Sequence, residues 1–181
     1  SLELFHPSSS PSLFFKMPMI TIVSNDNTNF QVDRDILKQS GTIETLIVNM
    51  NLDDEETDAS AMPIPLPNVK GAVLEKVIQW MTQHKDEPIK ETDEEEANVE
   101  ITIPKWDEDF FKPYLYQSFL LEMTVAASYL DIKQMLTLTC KTIANTFKDK
   151  KGKQIREEWK VPNEFTPEEE AAIEKENEWC E

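Results

Sequence analysis

The chain opens its ordered part with an alternation. Met19, Thr21 and Val23 set against Ile20 and Ile22 read as a strand. Ser24-Asn25-Asp26-Asn27 carries turn chemistry, because Asn and Asp tolerate the left-handed region and bond to their own backbone. Phe30 and Val32, two apart, predict a returning strand. Asp33 is placed to cap a short helix through Ile36 and Leu37, and Ser40-Gly41 breaks it. Ile43, Leu46, Ile47 and Met50 then follow helical spacing. Pro63, Pro65 and Pro67 alternate with Ile64 and Leu66; proline gives no ladder donor, so this is an edge strand or extended segment. A strongly amphipathic helix is predicted over Asn68–Gln83, with Val69, Val73, Val77 and Trp80 on one face and Asn68 as N-cap. Trp80 on that face reads as core.

The second half is helical. An aromatic stretch holds Trp106, Phe110, Phe111, Tyr114, Tyr116 and Phe119. Helical spacing resumes with Leu120, Met123, Ala126, Ala127 and Leu130, then again with Ile132, Leu136, Cys140, Ile143 and Phe147. Thr166-Pro167-Glu168-Glu169 is a helix start, with Thr as N-cap, Pro at N1 and Glu at N3 closing a capping box. That last helix has few apolar residues, mainly Ala172, Ile173 and Trp179, and needs a neighbour to offset its ordering cost. Ile155, Trp159, Phe165, Ile173 and Trp179 are large apolar groups set among acids, a pattern that suits a docking surface.

Charge changes the picture more than length does. With 35 acids against 18 bases the chain of 181 residues carries a net charge of -17. Nucleic acid and anionic membranes are therefore not expected as partners. No apolar run approaches the ~18–20 residues that span a bilayer. Residues 133–156 hold seven bases and one acid, whereas residues 157–181 hold ten acids and two bases. The basic stretch reads as a solvated helix end answered by the acidic tail. Acidic loops fall near residues 53–61 and 85–100. Ser1–Lys16 is rich in Ser and Pro and is expected to be a disordered or non-native extension, with Met17 as a candidate start.

Candidate chemistry is sparse. The three glycines, Gly41, Gly71 and Gly152, are far apart, which excludes a dinucleotide fingerprint or P-loop. Cys140 and Cys180 read as reduced thiols, and neither they nor His6 and His84 make a zinc set. The acids lie in loops and tails where they are solvated, so no pair with separated pKa values is expected. His84 is the one histidine with a catalytic context to weigh, and it falls in a polar Gln-His-Lys helix end. No enzyme activity, metal or cofactor is expected.

Several long stretches resemble one family. They are Pro65-Leu66-Pro67-Asn68-Val69, Lys76-Val77-Ile78-Gln79-Trp80, His84-Lys85-Asp86-Glu87-Pro88, Ala126 through Ile132, Thr139 through Asn145, Asn163 through Thr166, and Lys175 through Glu181. They are similar to the S-phase-kinase-associated (Skp) adaptors of SCF ubiquitin ligases, from about Met17 to the last residue. The resemblance implies an α/β fold of the BTB/POZ type over residues 17–147, a small sheet flanked by helices, followed by C-terminal F-box-binding helices over 148–181. It implies a non-catalytic adaptor in the cytoplasm and nucleus that bridges a cullin N-terminal domain to F-box proteins. Carried over residue by residue, Ser128 and Tyr129 fall at the cullin-facing pair. Cys140, Ile143, Ala144, Phe147, Ile155, Trp159, Phe165, Ile173, Asn177 and Trp179 fall on the F-box side.

Three departures mark a divergent paralogue. Ser128 stands where the family has Asn, and it lacks the second hydrogen-bonding group of an amide. Trp159 stands where a smaller aromatic is usual. The stretch Lys112–Phe119 is longer and more aromatic than the usual connection, and reads as extra packing under the next helix or as an altered scaffold contact. The rival readings are a BTB/POZ homodimerising scaffold and an F-box-stabilising partner without cullin binding. Exposed apolar anchors also permit weak homodimerisation when no partner is present.

Overall fold

The computed structural model describes residues 19–52, 62–87, 102–148 and 150–177. The N-terminal extension, most of both acidic loops and Trp179 lie outside the described residues. The chain divides into two compact units: Ser1–Ile89 with Tyr129–Asp131, and Lys90–Ser128 with Ile132–Glu181.

The first unit is built on a three-stranded sheet in the order β2-β1-β3, with β1 at Met19–Ser24, β2 at Asn29–Asp33 and β3 at Ile64–Leu66. β1 and β2 are antiparallel, with Ile20 opposite Val32 and Ile22 opposite Phe30. Asn27 takes a φ of 60° in the turn between them, as its residue type allows. β3 runs parallel to β1 on the other side, pairing Ile22 with Ile64. Pro65 thus sits exposed on an edge strand, flanked by Pro63 and Pro67, while Ile64 and Leu66 are buried.

Helix α1 spans Arg34–Leu37, α2 Gly41–Asn49 and α3 Gly71–Gln83. Asp33 caps α1 by accepting from the Asp35 N–H at 2.9 Å. α1 ends at Leu37 with Lys38 as its C-cap, short of the expected break at Ser40-Gly41, and Ser40 instead caps α2, accepting from the Ile43 N–H at 3.2 Å. A bidentate Arg34–Glu44 pair at 2.5 and 2.8 Å joins the two helices. Val73, Leu74, Val77, Trp80 and Met81 of α3 are buried, each contributing about 1.5–3 kcal/mol of apolar burial.

The start of α3 differs from the expectation. Lys70, not Asn68, is its N-cap, and Lys70 makes no side-chain cap bond. The Gly71 N–H instead donates to Asp26 Oδ2 at 3.3 Å, from the β1–β2 turn. The end of α3 differs too. His84 is buried rather than in a polar environment, and its ring stacks on Trp80 at 4.1 Å. Its Nδ1 lies 2.8 Å from Glu87 Oε1.

The second unit contains α4 at Lys105–Phe111, a 3-10 turn at Lys112–Tyr114, most of α5 at Ser118–Tyr129, α6 at Lys133–Phe147, α7 at Gly152–Glu158 and α8 at Pro167–Asn177. Trp106 stacks on Phe110 at 4.9 Å, Phe110 meets the edge of Tyr114 at 6.4 Å, and Tyr114 packs on Phe119 at 4.9 Å. The aromatic run is therefore a continuous wall along one side of α4 and into α5.

Candidate functional site

Helix α6 has a buried side that includes polar residues and a separate apolar stripe. Met135, Leu138, Thr139, Thr142 and Thr146 are buried. The three threonines can face inward because each hydroxyl donates to a carbonyl of its own helix. Thr139 bonds Met135 at 2.9 Å, Thr142 bonds Leu138 at 2.7 Å and Thr146 bonds Ile143 at 2.7 Å. On the far side Cys140, Ile143, Ala144 and Phe147 follow at i, i+3, i+4 and i+7 and form one stripe. Cys140 and Ala144 are exposed, Ile143 is half-buried and Phe147 is 40% exposed.

The chain beyond α6 extends this apolar surface. The Trp159 ring lies 5.6 Å from that of Phe147, and Ile155 is half-buried one turn earlier in α7. Lys160 takes the left-handed conformation at φ 53° and ends α7. The Val161 N–H bonds the Arg156 carbonyl at 2.9 Å and the Lys160 N–H bonds Glu157 at 3.3 Å, closing a Schellman motif. Phe165 is 48% and Ile173 39% exposed. Arg156 links α7 to α8 through Glu170 and lies 5.8 Å from the Phe165 ring centroid. The capping box expected for α8 is present. Thr166 Oγ1 accepts from the Glu169 N–H at 3.3 Å, and Glu169 accepts from the Thr166 N–H at 2.9 Å. The Glu169 carboxyl is held below its ordinary value by the backbone Thr166 N–H first and then by the Thr166 hydroxyl, which donates to it at 3.0 Å. The structure thus brings Cys140, Ile143, Ala144, Phe147 and Trp159 together. Asn177 ends α8, and Trp179 lies outside the described residues.

Ser128 and Tyr129 are the last two residues of α5. Ser128 is exposed and Tyr129 half-buried. Leu121 at 43% and Val125 at 66% exposure precede Ser128 at i-7 and i-3, so the three share a stripe. Leu121 and Val125 were not among the sequence-based candidates. Their signal was an apolar run too broad for one buried face, since Leu120, Met123, Ala126 and Ala127 already fill the inner side. The backbone at Tyr129–Asp131 is pinned by the start of α2. Thr42 Oγ1 donates to the Tyr129 carbonyl at 2.8 Å, Ser40 Oγ to that of Leu130 at 2.5 Å, and the Gly41 N–H to that of Asp131 at 3.3 Å. Free donors at one helix start meet free acceptors at another helix end.

The stretch Lys112–Phe119 divides its aromatics. Tyr114 packs on Phe119, as the packing expectation had it. Tyr116 turns instead to the C-terminal side. Its hydroxyl accepts from Lys150 Nζ at 3.1 Å, and its ring meets the edge of Trp159 at 6.1 Å. Among the described residues no helix is long and apolar enough to cross a membrane, and no three His, Cys, Asp or Glu side chains are grouped to hold a metal ion.

A small mixed sheet with helices, followed by helices whose outer faces carry exposed apolar stripes, defines a protein-binding module. Known proteins give this module a family. The Skp1 family tetramerisation domain matches residues 18–86, and the Skp1 family dimerisation domain matches residues 133–180. A "Skp1-related protein" of Caenorhabditis elegans is 45% identical over 164 residues, covering 90% of this chain and 91% of that protein. The "E3 ubiquitin ligase complex SCF subunit sconC" of Talaromyces stipitatus is 42% identical over 164 residues, covering 90% and 96%. Its namesake in Aspergillus flavus is 40% identical over 165 residues, covering 91% and 97%. The chain belongs to the Skp1 family, and its first unit carries the POZ-type α/β fold that the resemblance implied.

Proposed function

We propose that this chain is the non-catalytic adaptor of an SCF-type E3 ubiquitin ligase, joining a cullin scaffold to F-box substrate receptors. The observation that carries this reading is the outward apolar stripe of α6. Cys140, Ile143, Ala144 and Phe147 stand outward while the opposite side is already buried. A helix with a filled inner face and an apolar outer stripe is built for a partner. Trp159 extends that stripe from Phe147, and the stripe is assigned to the F-box motif together with Ile155 and the exposed Phe165 and Ile173. Two relatives that match along nine-tenths of the chain carry the name of SCF subunits, which supports the same role. The stripe Leu121, Val125 and Ser128, with Tyr129 beside it, is assigned to the cullin N-terminal domain.

The test is co-purification of the full chain with an F-box domain and, separately, with a cullin N-terminal domain. Binding of both, and a ternary complex on mixing, is the expected result. Binding of the F-box domain alone would make the protein an F-box-stabilising partner outside a ligase, with Ser128 as the first suspect. A stable homodimer that an F-box domain does not split would favour the scaffold reading instead.

A further inference from the structure

We propose that Tyr116 is a positioning residue for F-box binding, acting through Trp159; the assignment rests on the F-box reading above. Two aromatic features, the connection Lys112–Phe119 and Trp159, meet in one cluster. The Tyr116 ring and the Trp159 ring lie edge to face at 6.1 Å, and the Phe147 ring lies tilted against Trp159 at 5.6 Å. Lys150 closes the cluster from the link between α6 and α7. Its Nζ lies 3.1 Å from Tyr116 Oη, 4.9 Å from the Tyr116 ring centroid and 2.5 Å from Glu158. Trp159, just past α7, thus meets the end of α6 and the connection that precedes α5, and Lys150 of the α6–α7 link holds Tyr116 in place beside it.

The cluster runs against local preference, which separates it from ordinary packing. Tyr116 takes a φ of 62°, a conformation that suits Gly or Asn and that a bulky side chain rarely adopts. Trp159 Nε1 is buried and meets no acceptor among the described residues, a further cost that the arrangement carries. Strain of this kind persists where surrounding contacts over-determine it, and it gathers at functional sites. Here it sits beside Phe147, the last and largest member of the outward stripe of α6. Whatever fixes the Trp159 ring also fixes that end of the stripe. Trp159 follows directly on α7 and precedes the Lys160 turn, so the same contact sets how the chain leaves toward Phe165. The charge on Lys150 is held firmly, since the Glu158 carboxylate and then the Tyr116 hydroxyl raise its pKa.

The experiment measures F-box-domain affinity by calorimetry for the full chain as wild type, Tyr116→Phe, Tyr116→Gly and Trp159→Ala, and for the Tyr116→Gly/Trp159→Ala pair. Urea titrations of each variant serve as the stability control. Tyr116→Gly relieves the backbone strain and removes the side chain, so a purely local role predicts unchanged or improved binding. Positioning through Trp159 predicts a loss of about tenfold, the scale of one aromatic pair. Tyr116→Phe keeps the ring and should lose about threefold or less. In the Trp159→Ala background the glycine change should cost nothing more. The indole N–H resonance of Trp159, identified by its loss in Trp159→Ala, should exchange faster with solvent in Tyr116→Gly. Wild-type binding with Tyr116→Gly unaffected, or with strictly additive losses, overturns the role of Tyr116. Failure of the wild-type chain to bind any F-box domain overturns the F-box reading itself, and this assignment with it.

Discussion

Gly71 is kept as glycine by a carboxylate forty-five residues earlier in the chain. A Cβ there would stand 2.8 Å from both carboxylate oxygens of Asp26 and 3.1 Å from Thr28 Oγ1. Alanine is the better helix former, yet Gly71→Ala should lower the urea midpoint, because Asp26 must leave the start of α3. The Asp26 carboxyl is held below its ordinary 3.8, by the Ser24 hydroxyl first and by Thr28 and the Gly71 N–H with it. A depressed folded-state pKa stabilises above the unfolded value, and the effect is lost as pH falls through the folded one. Wild type should therefore be more resistant to urea than Asp26→Asn at neutral pH. The two midpoints should begin to converge below about pH 5 and meet once pH has fallen through the folded-state value; curves that stay parallel would leave Asp26 no such role. The sequence showed Ser24–Asn27 as a turn, because the residue types act locally. It did not show that Asp26 caps α3, because that bond depends on the sheet bringing two distant segments together. Asn68 was the better local candidate for the same reason.

At the scale of elements, periodicity was legible wherever one face is buried. The strands β1 and β2, the Pro-bounded edge strand and the inner face of α3 all follow from apolar spacing. The capping box at Thr166 and Glu169 was equally readable, since four consecutive residues determine it. Helix α6 was harder. Its inner face contains Thr139, Thr142 and Thr146, so a count of apolar residues finds the outer stripe and misses the inner one. Back-bonding to the helix's own carbonyls is what lets these hydroxyls be buried. The end of α7 offers a cleaner test of an element's design. Lys160 holds the left-handed position of a Schellman motif that glycine fills without a Cβ penalty. Lys160→Gly should raise stability by about 1 kcal/mol, read from denaturant titration, while a loss would mean that the lysine stem packs on the motif.

Among the described residues, two exposed apolar stripes lie on α5 and on α6, within an acidic chain of net charge -17. If they serve different partners, their binding energies separate. Tyr129→Ala should weaken a cullin N-terminal domain about thirtyfold, the size of one interface hot spot, and leave F-box binding near normal. Phe147→Ala should do the reverse. Loss of both in either folded variant would count against two independent surfaces. Composition and charge argued against nucleotide, nucleic-acid and metal chemistry, and long sequence matches indicated the family. The path by which the chain shares itself between its two units was not legible, because it depends on three residues. Tyr129–Asp131 belong to the first unit although the chain on both sides belongs to the second. Their carbonyls accept from Ser40, Gly41 and Thr42. This stitch bears on how paralogues can exchange parts. A recombination joint near Ile89 would separate Ser40–Thr42 of one parent from its own Tyr129–Asp131. Chimeras should therefore inherit function most readily when those two short segments travel together, and shuffled genes should show that linkage as a preference for matched parents.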